Sequence, residues 1–188
     1  MDAPSQVNKA PHDQVVVVWW KLETGEGLWQ EIVKKKYVKD NCIAQLQHKA
    51  SNSPVWNDLL KVRVWYLKGR RMLTGDAKMT DFWEDTWCGE TPLKREFPQL
   101  FEICREQKST VDYVARRGWR LSFRRWLDES KQNQWRKLRD RICTVPRSEN
   151  SDTPKWAWNK NDLFSVKSVY SHMCAVEADN SYKKNLES

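Results

Sequence analysis

The chain has 188 residues, 39% of them hydrophobic and 31% charged, with 33 Lys and Arg against 25 Asp and Glu for a net charge of +8. A chain of that length buries roughly 70% of its unfolded surface, enough for one compact domain or two very small ones and too little for a large multidomain enzyme. Its longest apolar run, residues 15–20, falls far short of the roughly 20 residues that span a bilayer. No small-residue cleavage site follows a charged start, so membrane and secreted classes are set aside.

Residues 1–14 carry Pro4, Pro11 and polar residues without periodicity, and the whole of 1–18 is read as a disordered lead-in. Gly27 opens a helical stripe of Leu28, Trp29, Ile32, Val33 and Tyr37, with Lys34, Lys35 and Lys36 on its polar side. Ser53 and Pro54 mark a helix start, an N-cap hydroxyl followed by a residue of preset φ. That helix continues through Trp56, Leu59, Leu60, Val64 and Leu67 to Gly69. Residues 70–74 and 79–82 flank the turn-forming stretch Gly75-Asp76-Ala77-Lys78, which predicts a β-hairpin. Two short helices follow, at 98–105 and at 110–117, the second capped by Ser109 and closed by Gly118.

From Trp119 the side chains alternate, with Trp119, Leu121 and Phe123 set against Arg120, Ser122 and Arg124. A period of two predicts a half-buried strand with a basic outer face. Helical spacing returns over 128–142 through Trp135, Leu138 and Ile142, with Asp128 and Glu129 at the positive N-terminal end. Residues 146–154 are rich in Ser, Asn and Pro and read as a linker between two parts. Beyond it, 155–158 and 163–166 bracket Asn159-Lys160-Asn161-Asp162 as a second hairpin, Ser168 caps a short helix at Val169-Tyr170, and 177–188 is expected to fray. The fold class expected is α+β, short helices with two β-hairpins.

Catalytic chemistry is hard to place. Two-metal phosphoryl transfer needs carboxylates holding a pair of ions about 4 Å apart. The nearest grouping, Asp81, Glu84 and Asp85, sits among Phe82, Trp83 and Trp87 and reads better as a packed segment. Five cysteines, Cys42, Cys88, Cys104, Cys143 and Cys174, form no CxxC, and with His12, His48 and His172 give isolated pairs at best. An odd, scattered set suits reduced thiols inside a cell. There is no GxGxxG and no GxxxxGK[ST]. No cofactor, metal or catalytic residue is therefore assigned.

Charge remains. Between Arg116 and Arg141 there are ten basic residues and three acids, which concentrates nearly all of the net charge. Arg116, Arg117, Arg120, Arg124, Arg125, Arg136, Lys137, Arg139 and Arg141 are the candidate nucleic-acid-binding residues, because guanidinium groups match phosphate oxygens and stack on bases. The alternative is a solvated basic face with no partner. Twelve Trp pose the same choice, between core anchors at regular spacing and platforms for bases.

The strings GLWQEIVKKKY, SPVWNDLL, KGRRMLTGDAKMTDFWEDTWCGETPLKREFPQLFEIC, RRGWRLSFRRWL and FSVKSVYSHMC resemble the polyprotein of plant LINE-type, non-LTR retrotransposons. The resemblance runs from about Trp19 to Cys174, the region between the reverse transcriptase core and the reverse-transcriptase zinc-binding domain. A characteristic pattern of that family falls here on Gly75, Ala77, Thr80, Phe82, Trp83, Asp85 and Trp87, with Ala77 in place of a glycine. If that glycine serves a turn of positive φ, the turn is strained here. The resemblance implies a connecting region over 19–145 and, over 155–176, the truncated start of the zinc-binding domain. It implies a fragment without the polymerase Asp-Asp motif or the zinc ligands. Its expected role is non-catalytic, with weak, salt-dependent contact to RNA or DNA, in nucleus or cytoplasm. A scaffold that meets other protein surfaces is the alternative.

Overall fold

A computed structural model describes residues 12–186, with side chains over 16–176. It is a small α+β fold whose helices come first because the chain is rich in apolar residues at helical spacing. Helix α1, His12–Thr24, buries Val16, Trp19 and Leu22. Helix α2, Leu28–Val33, runs into a π-helical turn at Lys34–Val38, and a 3-10 turn follows at Ile43–Gln45. Helix α3, Pro54–Gly69, starts where Ser53 Oγ accepts from the Trp56 amide, with Pro54 in the first turn. Strand β1 spans Arg70–Leu73. Short helices α4, Leu93–Glu96, α5, Pro98–Ile103, and α6, Val111–Arg116, precede α7, Glu129–Ile142, which is capped by Asp128. Strand β2, Thr153–Trp156, and helix α8, Val166–Leu186, complete the order.

Several expectations are corrected. Neither hairpin forms: β1 pairs antiparallel with β2, Arg70 opposite Trp156 and Leu73 opposite Thr153. The long-range pairing wins because it carries Trp156 into the apolar cluster of α1 and α3, where its indole packs against Trp20, Tyr66, Trp158 and Phe164. Gly69 makes room for that ring, since a Cβ there would meet its Cη2 at 2.4 Å. The helix cap at α6 is Thr110 rather than Ser109. The expected lead-in gives way to α1 from His12 onward, residues 1–11 lying outside the described residues. In place of a short helix and a frayed tail, α8 continues to Leu186, with Ser165 Oγ accepting the Ser168 amide at its start.

The segment 146–154 is not a free linker. Asp152 Oδ1 accepts from the amides of Gly75 (2.7 Å) and Ala77 (2.8 Å). Its Oδ2 accepts from the Met79 amide (3.0 Å) and the Thr80 hydroxyl (2.8 Å). One carboxylate thus organises the turn that the sequence marks with Gly75, Ala77 and Thr80. Ala77 has φ of +61° there, a conformation that glycine adopts freely and alanine only at a cost. At Gly75 a Cβ would meet the Asn150 carbonyl oxygen at 2.0 Å, so only glycine fits.

Two apolar clusters result. One joins α1, α3, Trp156 and Val169; the other joins Met72, Phe82, Trp83, Trp87, Leu100, Val111, Leu138 and Ile142. Arg70 lies between their sequences, fully buried. Its guanidinium contacts Glu23 of α1 (2.5 Å) and Asp85, and the Tyr66 hydroxyl donates to the second oxygen of Glu23. Burial alone would lower the Arg70 pKa, but Asp85 and Glu23 together raise it, so the residue stays charged. Removing one partner from a buried pair leaves an uncompensated charge. Arg70→Met is therefore expected to lower unfolding stability by about 3–5 kcal/mol, measured by urea denaturation; a loss under about 1 kcal/mol, the size of an exposed pair, would contradict this role.

Candidate nucleic-acid interface

The basic stretch begins where α6 ends. Gly118 (φ +68°) and Trp119 (φ +59°) turn the chain, and the Trp119 amide returns to the Val114 carbonyl at 3.0 Å. Residues 120–123 then follow without becoming a strand and the chain bends at 124 and 125, a correction to the period-two reading. A single antiparallel bridge joins Phe123 to Cys104. The alternation itself survives. Trp119, Leu121 and Phe123 pack against the core, while Arg120 and Arg124 face solvent.

This segment is pinned at its base. The Arg124 amide donates to the Ile103 carbonyl (2.8 Å), the Arg105 amide to the Ser122 carbonyl (2.9 Å), and the Ser122 amide to Glu106 Oε2 (2.8 Å). Phe123 meets Trp135 of α7 edge-on at 5.7 Å. On the far side Leu127 packs on the core, its carbonyl accepts from Gln132 Nε2 (2.9 Å), and Asp128 caps α7. Between these anchors Arg124, Arg125 and Trp126 project outward, and Trp126 is 99% exposed.

The nine predicted residues divide into two groups. Arg116 pairs with Asp112 (2.9 Å), and Arg141 forms a two-pronged pair with Glu96 (2.5 and 2.7 Å). Arg117 lies over the Tyr113 ring, 5.4 Å from its centroid, and Arg136 donates to Asn133. Arg120, Arg124, Arg125, Lys137 and Arg139 are exposed, and among the described residues their side chains have no hydrogen-bond or ion-pair partner. Lys137 and Arg139 stand two residues apart on α7, hence about 200° around its axis, with exposed Asp140 beside Arg139. The structure thus brings Arg120, Arg124 and Arg125 to one pinned segment and does not collect the cations of α7 into one stripe.

Trp126 belongs to this surface and was not singled out by composition. Ten of the twelve Trp are buried or half-buried, which settles most of them as core anchors; Trp29 and Trp126 are the exceptions. Alternation could not have found it: the chain bends at Arg124 and Arg125, both exposed, so the period of two ends before Trp126.

The acidic grouping has a structural explanation. Asp81 Oδ1 accepts from the Trp83 (2.8 Å) and Glu84 (2.6 Å) amides and its Oδ2 from Gln45 Nε2 (2.8 Å). Asp85 accepts from the Asp81 amide (2.8 Å) and from Arg70, while Glu84 pairs with Lys94 (2.7 Å). Among the described residues no three His, Cys, Asp or Glu converge as a metal site. All five cysteines are free, and burial pushes the Cys88 and Cys104 thiols up to about 12, well away from a reactive thiolate. Among the described residues no helix is long and apolar enough to cross a membrane.

No family model, curated protein or solved structure matches the chain.

Burial, and then the charge of Asp85, push Asp81 up to about 7. An acid with a higher pKa in the fold than in the unfolded chain binds its proton more tightly when folded. Its stabilising contribution is complete below about pH 4, the unfolded value, and shrinks as pH rises through 7. Urea melts at several pH values are expected to show wild-type stability falling relative to Asp81→Asn from pH 4 to 7; parallel profiles would contradict the assignment.

Proposed function

We propose that this chain is a non-catalytic nucleic-acid-contacting segment that holds RNA or DNA weakly through the arginines of the pinned loop. The observation that carries the reading is the set Arg120, Arg124 and Arg125, three exposed guanidinium groups without a partner among the described residues, on a segment anchored at both ends. Planar, permanently charged groups of this kind match phosphate oxygens. Anchoring lowers the entropy lost when they engage a strand. The net charge of +8 adds long-range attraction for a polyanion.

The wider reading follows from the sequence resemblance. In a plant LINE-type, non-LTR retrotransposon polyprotein such a segment would connect the reverse transcriptase core to the zinc-binding domain and help to hold template or target during reverse transcription. Polymerase chemistry would belong to the neighbouring core.

A second reading rests on a separate surface. Leu28, Trp29 and Ile32 of α2 and Val55 of α3 are exposed, beside an apolar groove lined by Val18, Trp19, Val33 and Trp56. Contiguous apolar surface of this kind marks contact with another protein. Under that reading the chain is a scaffold, and the arginines are a solvated face.

The two readings separate on one titration. Labelled single-stranded RNA is expected to bind at low salt, with affinity falling steeply as salt is raised. Replacing Arg124 and Arg125 together by Ala should weaken binding and make the slope of log affinity against log salt shallower by about 1.4, two phosphates at about 0.7 each. The double variant should melt as the wild type does, since neither side chain has a partner among the described residues. Absent binding, or binding indifferent to salt, would sink the reading and favour the scaffold.

A further inference from the structure

We infer that Trp126 is a stacking platform for an unpaired base, so that the loop recognises single-stranded rather than duplex nucleic acid. The inference rests on the phosphate-contact reading and goes one step beyond it. Its starting point is a conflict between residue type and position. An indole has the largest apolar face of any side chain, and here it is 99% exposed while ten of the other eleven are buried or half-buried. Nothing in the local sequence requires it to be outside. Leu127, the next residue, packs on the core, and Phe123, three before, is locked against Trp135.

The loop is held, not loose. Hydrogen bonds at Ser122 and Arg124 fix one side, and the Leu127 carbonyl with the Asp128 cap fixes the other. The backbone that carries the ring is thus ordered before a ligand arrives, which favours binding. Arg125 and Arg124 directly precede it in sequence, both exposed and without side-chain partners among the described residues, and Arg120 is exposed earlier on the same segment. An apolar patch bordered by such cations fits an anionic partner that also offers flat apolar faces. Single-stranded nucleic acid combines the two, phosphates for the guanidinium groups and unstacked bases for the ring. In a duplex the bases are already stacked on one another, and only the phosphates remain available.

The test uses the full chain and three probes at low salt: a short oligouridylate, a strand of equal length and charge with abasic sites throughout, and a duplex of that length. The wild type is expected to bind oligouridylate about fivefold or more tightly than the abasic strand. Trp126→Ala should bring oligouridylate down to the abasic level and leave abasic binding unchanged; Trp126→Phe should keep part of the preference. Full exposure makes either variant fold as the wild type does, checked by circular dichroism. Equal affinity of wild type for oligouridylate and abasic strands would overturn the inference, as would a preference that survives Trp126→Ala, while the arginine reading would stand. Binding to no strand would remove both. Should Trp126→Ala weaken binding to anionic phospholipid vesicles and to none of the three nucleic-acid probes, the partner is a membrane surface and the inference is wrong.

Discussion

Arg70 sits at the junction of α3 and β1 with its guanidinium out of water, and its two carboxylate partners come from distant parts of the chain. Glu23 arrives from α1 and Asp85 from the loop between Trp83 and Trp87. A buried arginine is tolerable only when its charge is matched and its donors are used. The strand β1 can therefore occupy its place only when α1 and the tryptophan-rich loop are already in theirs. The same strand then accepts β2 and brings Trp156 onto the far cluster. The strand thus links the two apolar clusters, with a requirement for charge pairing that an apolar contact would not impose.

Asp152 has a similar organising role at longer range. It receives four donors from the turn around Gly75, with 72 to 77 residues of chain between the partners. A carboxylate satisfied in this way converts a Ser- and Asn-rich stretch into a fixed cross-link. Carboxylates here are structural glue: Asp81 ties the turn at Trp83 and Glu84, and Asp128 caps α7. The basic residues, by contrast, are left partly unmatched, and three of the unmatched ones, Arg120, Arg124 and Arg125, share the segment that α7 and the Cys104 bridge hold in place.

Helices α3, α5, α6 and α7 were legible because their signals are local, whereas α1 read as lead-in, α4 was not foreseen and α8 read as a short helix with a frayed tail. Ser53-Pro54, Asp128 and the apolar spacing of Leu100, Leu138 and Ile142 specify starts and inner faces within a few residues. The strands were not, because turn residues at Gly75 and Asn159 announce a chain reversal without saying which segment pairs with which. Pairing was decided by where Trp156 could be buried, a property of the assembled core. The segment 146–154 misled for a related reason: its composition is that of a linker, and only the fold reveals what Asp152 faces. At the candidate site the inward and outward faces of 119–124 were readable from alternation, whereas the ion pairs of Arg116 and Arg141 depend on Asp112 and Glu96, and Glu96 is 45 residues from Arg141. Trp126 was not readable, because the alternation ends at the bend of Arg124 and Arg125 and twelve tryptophans made any one of them look like core.

The central claim is that binding capacity resides in one pinned basic loop and not in the apolar face of α2. Hydrogen–deuterium exchange of the full chain, with and without single-stranded RNA at low salt, addresses it directly. Slowed exchange confined to the segment from Arg120 to Leu127 and the adjoining end of α6 is the predicted result. Protection that appears instead around Leu28, Trp29 and Ile32, with the arginine loop unchanged, would contradict the account.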